Sequence, residues 1–240
     1  MAKVRIICIS DTHGQHAGLR LPDGDILIHA GDFMTYGNAP REIIDFNEWL
    51  GRQPHTHKIV IAGNHDRLFE SHSMPARALI TNGVYLEDSG VEVEGLKFWG
   101  SPVQPPFNNW AFNVQRGAPI RRHWDKIPMG TDVLVTHGPP FGILDQSRPM
   151  TDHLGCEELA EVVEKVAPRL HLFGHIHGGH GRLRGGNGCE FVNGSVLNEH
   201  YMLVYEPQVV DLEILFLADN GCSGLDYPCK MKTSHSICMV

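Results

Sequence analysis

The run Val4-Arg5-Ile6-Ile7-Cys8-Ile9-Ser10-Asp11-Thr12-His13 decides the fold, because a β-rich apolar stretch stops abruptly at an Asp-x-His turn. A short apolar run bounded by turn residues reads as a buried strand. The pattern returns at 26–28, 58–62, 133–136 and 170–173, each time followed by glycine or polar punctuation. Helix-like segments lie between these runs. In 41–50, Ile43, Ile44, Phe46, Trp49 and Leu50 fall near one face, and in 156–166 Leu159, Val162, Val163 and Val166 do so more cleanly. Alternating strands and helices predict a layered α/β domain. Further runs at 84–87, 91–94, 97–99, 191–193, 202–205 and 209–216 read as antiparallel hairpins, so a pair of mixed sheets is expected.

Composition bounds the rest. The chain has 240 residues, 42% of them hydrophobic and 20% charged, enough apolar chain for a sizeable core and too little charge for disorder. Its 20 basic and 28 acidic residues give a net charge of −8, which argues against a partner such as long nucleic acid or an anionic membrane surface. No window carries the roughly 18 consecutive apolar residues of a membrane span. The apolar start is too short for a secretory leader, and the cysteines of the body are scattered, so a reduced, cytoplasmic protein is expected. Without repeats or linkers, 1–217 reads as one domain, and periodicity is lost in the tail 218–240. The tail holds Cys222, Cys229, His235 and Cys238 at spacings that match no compact zinc motif, and a disulfide or a partner contact fits equally well.

The strand ends carry the chemistry, since ligands of open α/β sheets bind beyond the carboxyl ends of strands. Five ends here read Asp11-Thr12-His13, Gly31-Asp32, Gly63-Asn64-His65-Asp66, Thr136-His137-Gly138 and Gly174-His175-Ile176-His177. In Asp11-x-His13 and His175-x-His177, an extended backbone would point both side chains at one centre. Seven oxygen and nitrogen donors (Asp11, His13, Asp32, Asn64, His137, His175 and His177) exceed what one tetrahedral ion uses and suit two neighbouring ions plus water. Two dications roughly 3.5 Å apart repel by on the order of 20 kcal/mol at a moderate effective dielectric, so a shared carboxylate is required. Asp32, on a short loop after glycine, is the best bridging candidate. Such a site lowers the pKa of a bridging water towards neutrality and neutralises phosphoryl oxygens during in-line attack. Imidazole and carboxylate without thiolate suit manganese, iron, zinc or cobalt.

The ordered set D-x-H, G-D, G-N-H-D, H and G-H-x-H resembles the calcineurin-like metallophosphoesterase superfamily over roughly residues 4–206. That resemblance implies a four-layer αββα sandwich with mixed β-sheets. It puts Asp11, His13, Asp32 and His177 on one divalent ion and Asp32, Asn64, His137 and His175 on the other, with manganese or iron the favoured metals. It also implies His65 as general acid to the leaving oxygen, with Asp66 orienting the imidazole. Two branches do not fit. Protein serine/threonine phosphatases continue G-D-x-x-D-R-G, whereas Phe33-Met34-Thr35-Tyr36-Gly37 follows here, and the metal-binding tyrosine of purple acid phosphatases stands one position earlier than Tyr36.

A nearer likeness is to the metallophosphoesterase-domain-containing (MPPED) proteins, carried by 7–13, 58–65, 100–113 and 136–140. It implies a phosphodiesterase of small substrates, cyclic nucleotides above all. The loop 102–113 sets Phe107, Trp110 and Phe112 among asparagines and prolines. Phe107, Asn108 and Trp110 are therefore candidates to stack and hydrogen-bond a base or aryl group, and a satellite hydrophobic cluster reads equally well from the same residues. Arg67, Arg116, Arg121 and Arg148 offer positive charge, and nothing in the sequence selects among them. A phosphomonoesterase and a non-catalytic scaffold of the same fold remain as alternatives. The sequence names no protein partner.

Overall fold

The computed structural model describes residues 2–147 and 152–214. The expected boundary at 217 and the tail with Cys222, Cys229 and Cys238 lie outside them. In chain order the elements are β1 (Lys3–Ile9), β2 (Ile26–Ala30), α1 (Pro40–Gly51), β3 (His57–Ile61), α2 (Arg67–Ser71), α3 (Ser73–Ala78), β4 (Val84–Tyr85), β5 (Ser89–Val93) and β6 (Leu96–Ser101). There follow α4 (Ala118–Trp124), β7 (Val133–Thr136), α5 (Glu157–Val166), β8 (Leu170–Phe173), β9 (Gly181–Arg184), β10 (Glu190–Asn193) and β11 (Gln208–Glu213). One sheet runs β11-β1-β2-β3-β4 and the other β5-β6-β7-β8-β10-β9.

Two faces of each sheet are covered, which explains why the central strands read as nearly unbroken apolar runs. Ile6, Cys8, Ile28 and Ile61 of the first sheet pack against Phe98, Val135, Leu172 and Val192 of the second. The alternate residues Ile7, Ile9, Leu27 and Val60 face outwards onto Ile43, Phe46, Trp49 and Phe69 of α1 and α2. Leu134, Phe173 and Phe191 face Ile120, Trp124, Leu159 and Val163 of α4 and α5. The strand period of two thus builds three apolar layers between two sheets and two helical faces, which is the αββα sandwich.

Strands β1, β2 and β3 are mutually parallel, as are β6, β7 and β8, so their carboxyl ends gather on one edge. The predicted hairpins are corrected in part. Antiparallel hairpins join β5 with β6 and β9 with β10, and β11 runs antiparallel to β1, while β4 pairs in parallel with β3 and β10 also pairs in parallel with β8. The expected strand at 202–205 is reduced to an isolated antiparallel bridge between Leu203 and Leu197, beyond a turn at 199–200 where the Asn198 side chain accepts the backbone N–H groups of His200 and Met202. Strand β9 escapes periodicity, being an exposed edge that offers little apolar side chain.

His171, on the fully buried β8, pairs with Thr136 at 2.8 Å between Nε2 and Oγ1. The threonine hydroxyl donates to the Gly138 carbonyl, so the imidazole must donate to it, and burial pushes His171 down to about 3. A histidine held neutral in the fold contributes stability that is complete above its unfolded value near 6.5 and is lost as pH falls towards 3. Between pH 6.5 and 4.5 this residue should cost about 2 kcal/mol of unfolding free energy. In denaturant titrations across that range, His171→Leu should reduce the pH slope by about one proton, and an unchanged slope would contradict the assignment.

Candidate metal centre and cleft

All seven expected donors stand on loops at the carboxyl ends of β1, β2, β3, β7 and β8, and they converge. Asp11, His13 and His177 form one cluster of ligand atoms, and Asp32, His137 and His175 form another. Asp32 also approaches the first, its Oδ2 lying 3.8 Å from His13 Nε2 and 3.3 Å from His137 Nε2. Asn64 completes the second cluster, with its Oδ1 2.9 Å from His137 Nε2. The geometry corrects one reading of the sequence. Asp11, His13, Asp32 and His175 take left-handed backbone angles, φ 55°, 41°, 58° and 65°, so turns rather than extended chain aim them. His175 and His177 accordingly point to different clusters. Non-glycine residues in this region cost on the order of 1 kcal/mol or more each, and they concentrate where function over-determines the backbone.

Backbone acceptors fix the rings. His137 Nδ1 lies 3.0 Å from the Ala30 carbonyl and His177 Nδ1 2.9 Å from that of Asn198, which leaves each Nε2 facing its carboxylate. Asp11 accepts the Ser195 hydroxyl at 2.6 Å and the His175 backbone N–H. Gly63 and Gly174 are demanded by crowding: a Cβ at Gly63 would collide with the Asp32 carboxylate, and one at Gly174 with that of Asp11.

The donors fit divalent cations. Both ring nitrogens of His13 are buried and unpartnered among the described residues, a loss of about 1–3 kcal/mol unless an ion accepts one of them. Burial disfavours charge on all these groups, yet the Asp32 carboxylate holds His137 up at about 9, and Asp11 raises His177. In return the two carboxyls lie below their usual range, against the opposing effect of burial. Burial dominates at His13 and His175, pushing them down to about 4 and about 3. The carboxylates thus create a strongly negative interior that draws positive charge, and neutral imidazoles stand ready beside it. Neutral imidazole and carboxylate are the forms that ligate metal.

The family model described as calcineurin-like phosphoesterase matches residues 4–179. The chain belongs to that family. Human metallophosphoesterase domain-containing protein 1 is 43% identical over 232 residues, covering 87% of this chain and 71% of that protein. The UPF0046 protein T07D4.2 of Caenorhabditis elegans is 37% identical over 242 residues, covering 88% of this chain and 60% of its own length. The solved structure of phosphopantetheinyl hydrolase from Mycobacterium tuberculosis shares the fold at a TM-score of 0.56 and 16% identity, covering 83% of this chain and 92% of that one. This calcineurin-like phosphoesterase is accordingly a metal-dependent phosphoester hydrolase by family.

In this phosphoesterase the donors open into a cleft of about 490 Å³, walled by His65, Gln104, Phe107, Arg116, His153 and Tyr201 among others. Of the three expected substrate contacts, Phe107 lines the cleft with its ring edge-on to His175, whereas Asn108 and Trp110 are not among the lining residues. Trp110 instead stacks on His65. Tyr201 went unread in the sequence; its ring stands 4.9 Å from His13 and 5.2 Å from His177. No periodicity marks it, and only its left-handed turn, φ 56°, singles it out.

Asp66 does not orient His65. The His65 Nδ1–H donates to the Thr35 carbonyl at 2.7 Å, while the fully buried Asp66 accepts the backbone N–H groups of Asp32, Met34 and Gly63. Those three bonds lock the Asp32 loop onto the Asn64 loop. Asp66→Ala would strand three buried donors and should lower unfolding free energy by about 3 kcal/mol or more. Denaturant unfolding of the metal-free chain checks this, and a loss below about 1 kcal/mol would contradict it.

Proposed function

We propose that this chain is a binuclear metal-dependent phosphodiesterase of small diesters, cyclic nucleotides being the substrate class. The observation that carries the reading is the pair of donor clusters meeting at Asp32 on the floor of a cleft sized for a small molecule. Asp11, His13, Asp32 and His177 would hold one ion, and Asp32, Asn64, His137 and His175 the other, with manganese or iron favoured over zinc or cobalt. Ions held by these residues would supply a nucleophilic hydroxide at neutral pH and charge stabilisation for the phosphoryl oxygens. Because Asp11 and Asp32 are the only carboxylates among these ligands, the site would stay net positive towards an anionic ester when it holds two dications.

The protein's own groups do the rest. His65 presents Nε2 while its Nδ1 is tied to Thr35, the geometry of a general acid for the leaving oxygen. Its backbone N–H donates to Asp32 Oδ1 at 2.7 Å, so the acid and the shared carboxylate are registered to each other. Phe107 offers an exposed aromatic edge to a base or aryl group. The net charge of −8 argues against long nucleic acid. Among the described residues no helix is long and apolar enough to cross a membrane, and Cys8, Cys156 and Cys189 are free buried thiols, which suits the cytoplasm.

Chelator-stripped protein should be inactive on bis(p-nitrophenyl) phosphate and regain hydrolysis with manganese, at a kcat/KM at least about tenfold above that for the p-nitrophenyl monoester. A monoester preference would make it a phosphomonoesterase, and silence on both esters with manganese, iron, zinc and cobalt would leave a scaffold of the same fold.

A further inference from the structure

His65 is held at a single polar point, the bond from Nδ1 to the Thr35 carbonyl. A ring pinned at one atom can still rock about that bond, whereas proton donation needs it fixed within roughly 10–20°. The His13 ring meets its edge, with centroids 4.5 Å apart, and the restraint on its face is an indole. Trp110 stacks on His65 with centroids 4.0 Å apart and planes 21° from parallel.

The loop that carries Trp110 is sewn to the segment that carries His65. Ala111 N–H donates to the Asn64 carbonyl at 3.2 Å, Phe112 N–H to Glu70 Oε1 at 2.7 Å, and Arg67 to the Asn109 carbonyl at 2.8 Å. The Arg67 guanidinium also lies over the indole, 5.1 Å from its centroid. Within the loop, the Asn113 side chain accepts the Phe107 N–H and donates to the carbonyls of Phe107 and Asn108. Gln104 N–H closes the base on the Phe112 carbonyl at 3.1 Å. A loop that only covered apolar surface would need no such stitching to residues 64–70, and a residue that stacked on substrate would line the cleft.

We propose that Trp110, braced by Arg67 and its loop, is a positioning residue that holds the His65 imidazole in line with the leaving oxygen. This rests on the reading of His65 as general acid, and the test separates the two. In the manganese-loaded full-length chain, Trp110→Ala should lower kcat on a cyclic nucleotide, whose leaving alkoxide is poor, by about 10- to 100-fold. KM should stay within about threefold, bis(p-nitrophenyl) phosphate should be affected less, and Trp110→Phe should recover most of the rate. In a His65→Ala background the same change should cost less than about twofold. A rise in KM with kcat retained, or an equal loss in both backgrounds, would overturn the proposal.

Nuclear magnetic resonance of the metal-free chain gives a readout independent of turnover. The carbon-bound protons of the His65 ring should be shifted upfield by the indole, and its Nδ1–H protected from exchange, with both signatures lost in Trp110→Ala. Their absence from the unsubstituted protein would overturn the positioning role even if Trp110→Ala failed to fold. Signatures present alongside a His65→Ala rate that is unchanged would instead refute the general-acid reading and leave the stacking intact.

Discussion

One buried carboxylate organises this molecule. Asp32 leaves β2 in a left-handed turn, and its side chain is approached from three loops at once. Its Oδ1 accepts the His65 N–H, while Oδ2 lies 3.3 Å from His137 and 3.8 Å from His13. An anion so placed is tolerable only with compensating positive charge, which protons on neighbouring imidazoles supply in part and divalent cations supply more fully. The cost of burying it is what makes the site selective for cations.

The sandwich exists, in effect, to hold that carboxylate still. Parallel strands bring five loops to one edge, and the apolar layers on both sides of each sheet leave those loops little freedom. Asp66 then ties two of them together through three backbone N–H groups, and Ser195 and the carbonyls of Ala30, Asn198 and Thr35 set the remaining side chains. Most of these supports are backbone atoms. Precision at the centre therefore depends on loop conformation as much as on the identity of the donors.

That dependence explains what the sequence disclosed. The spans 133–136 and 170–173 emerge as strands at the expected limits, and 41–50 as most of α1, because each is a dense apolar run or a one-faced helix. The convergence of the seven side chains was legible because strand-end aspartate, asparagine and histidine stand out by residue type and the glycines beside them are forced by crowding. The role of Asp66 was not, since a carboxylate next to a histidine looks the same whether it faces the ring or neighbouring N–H groups. Thr35 was invisible for a related reason: its contribution is a carbonyl, which every residue carries. Trp110 and Phe107, three positions apart on one loop, turn to His65 and His175 respectively, a divergence set by loop stitching that no periodicity records.

Shared ligation at Asp32 is tested most directly by electron paramagnetic resonance of the chain titrated with manganese to saturation, beside Asp32→Ala. Two ions bridged by one carboxylate are exchange-coupled. The expected result is two manganese ions per chain with a coupled spectrum that disappears in Asp32→Ala. A single ion per chain, or two ions giving the spectra of isolated manganese, would contradict a centre built around this carboxylate.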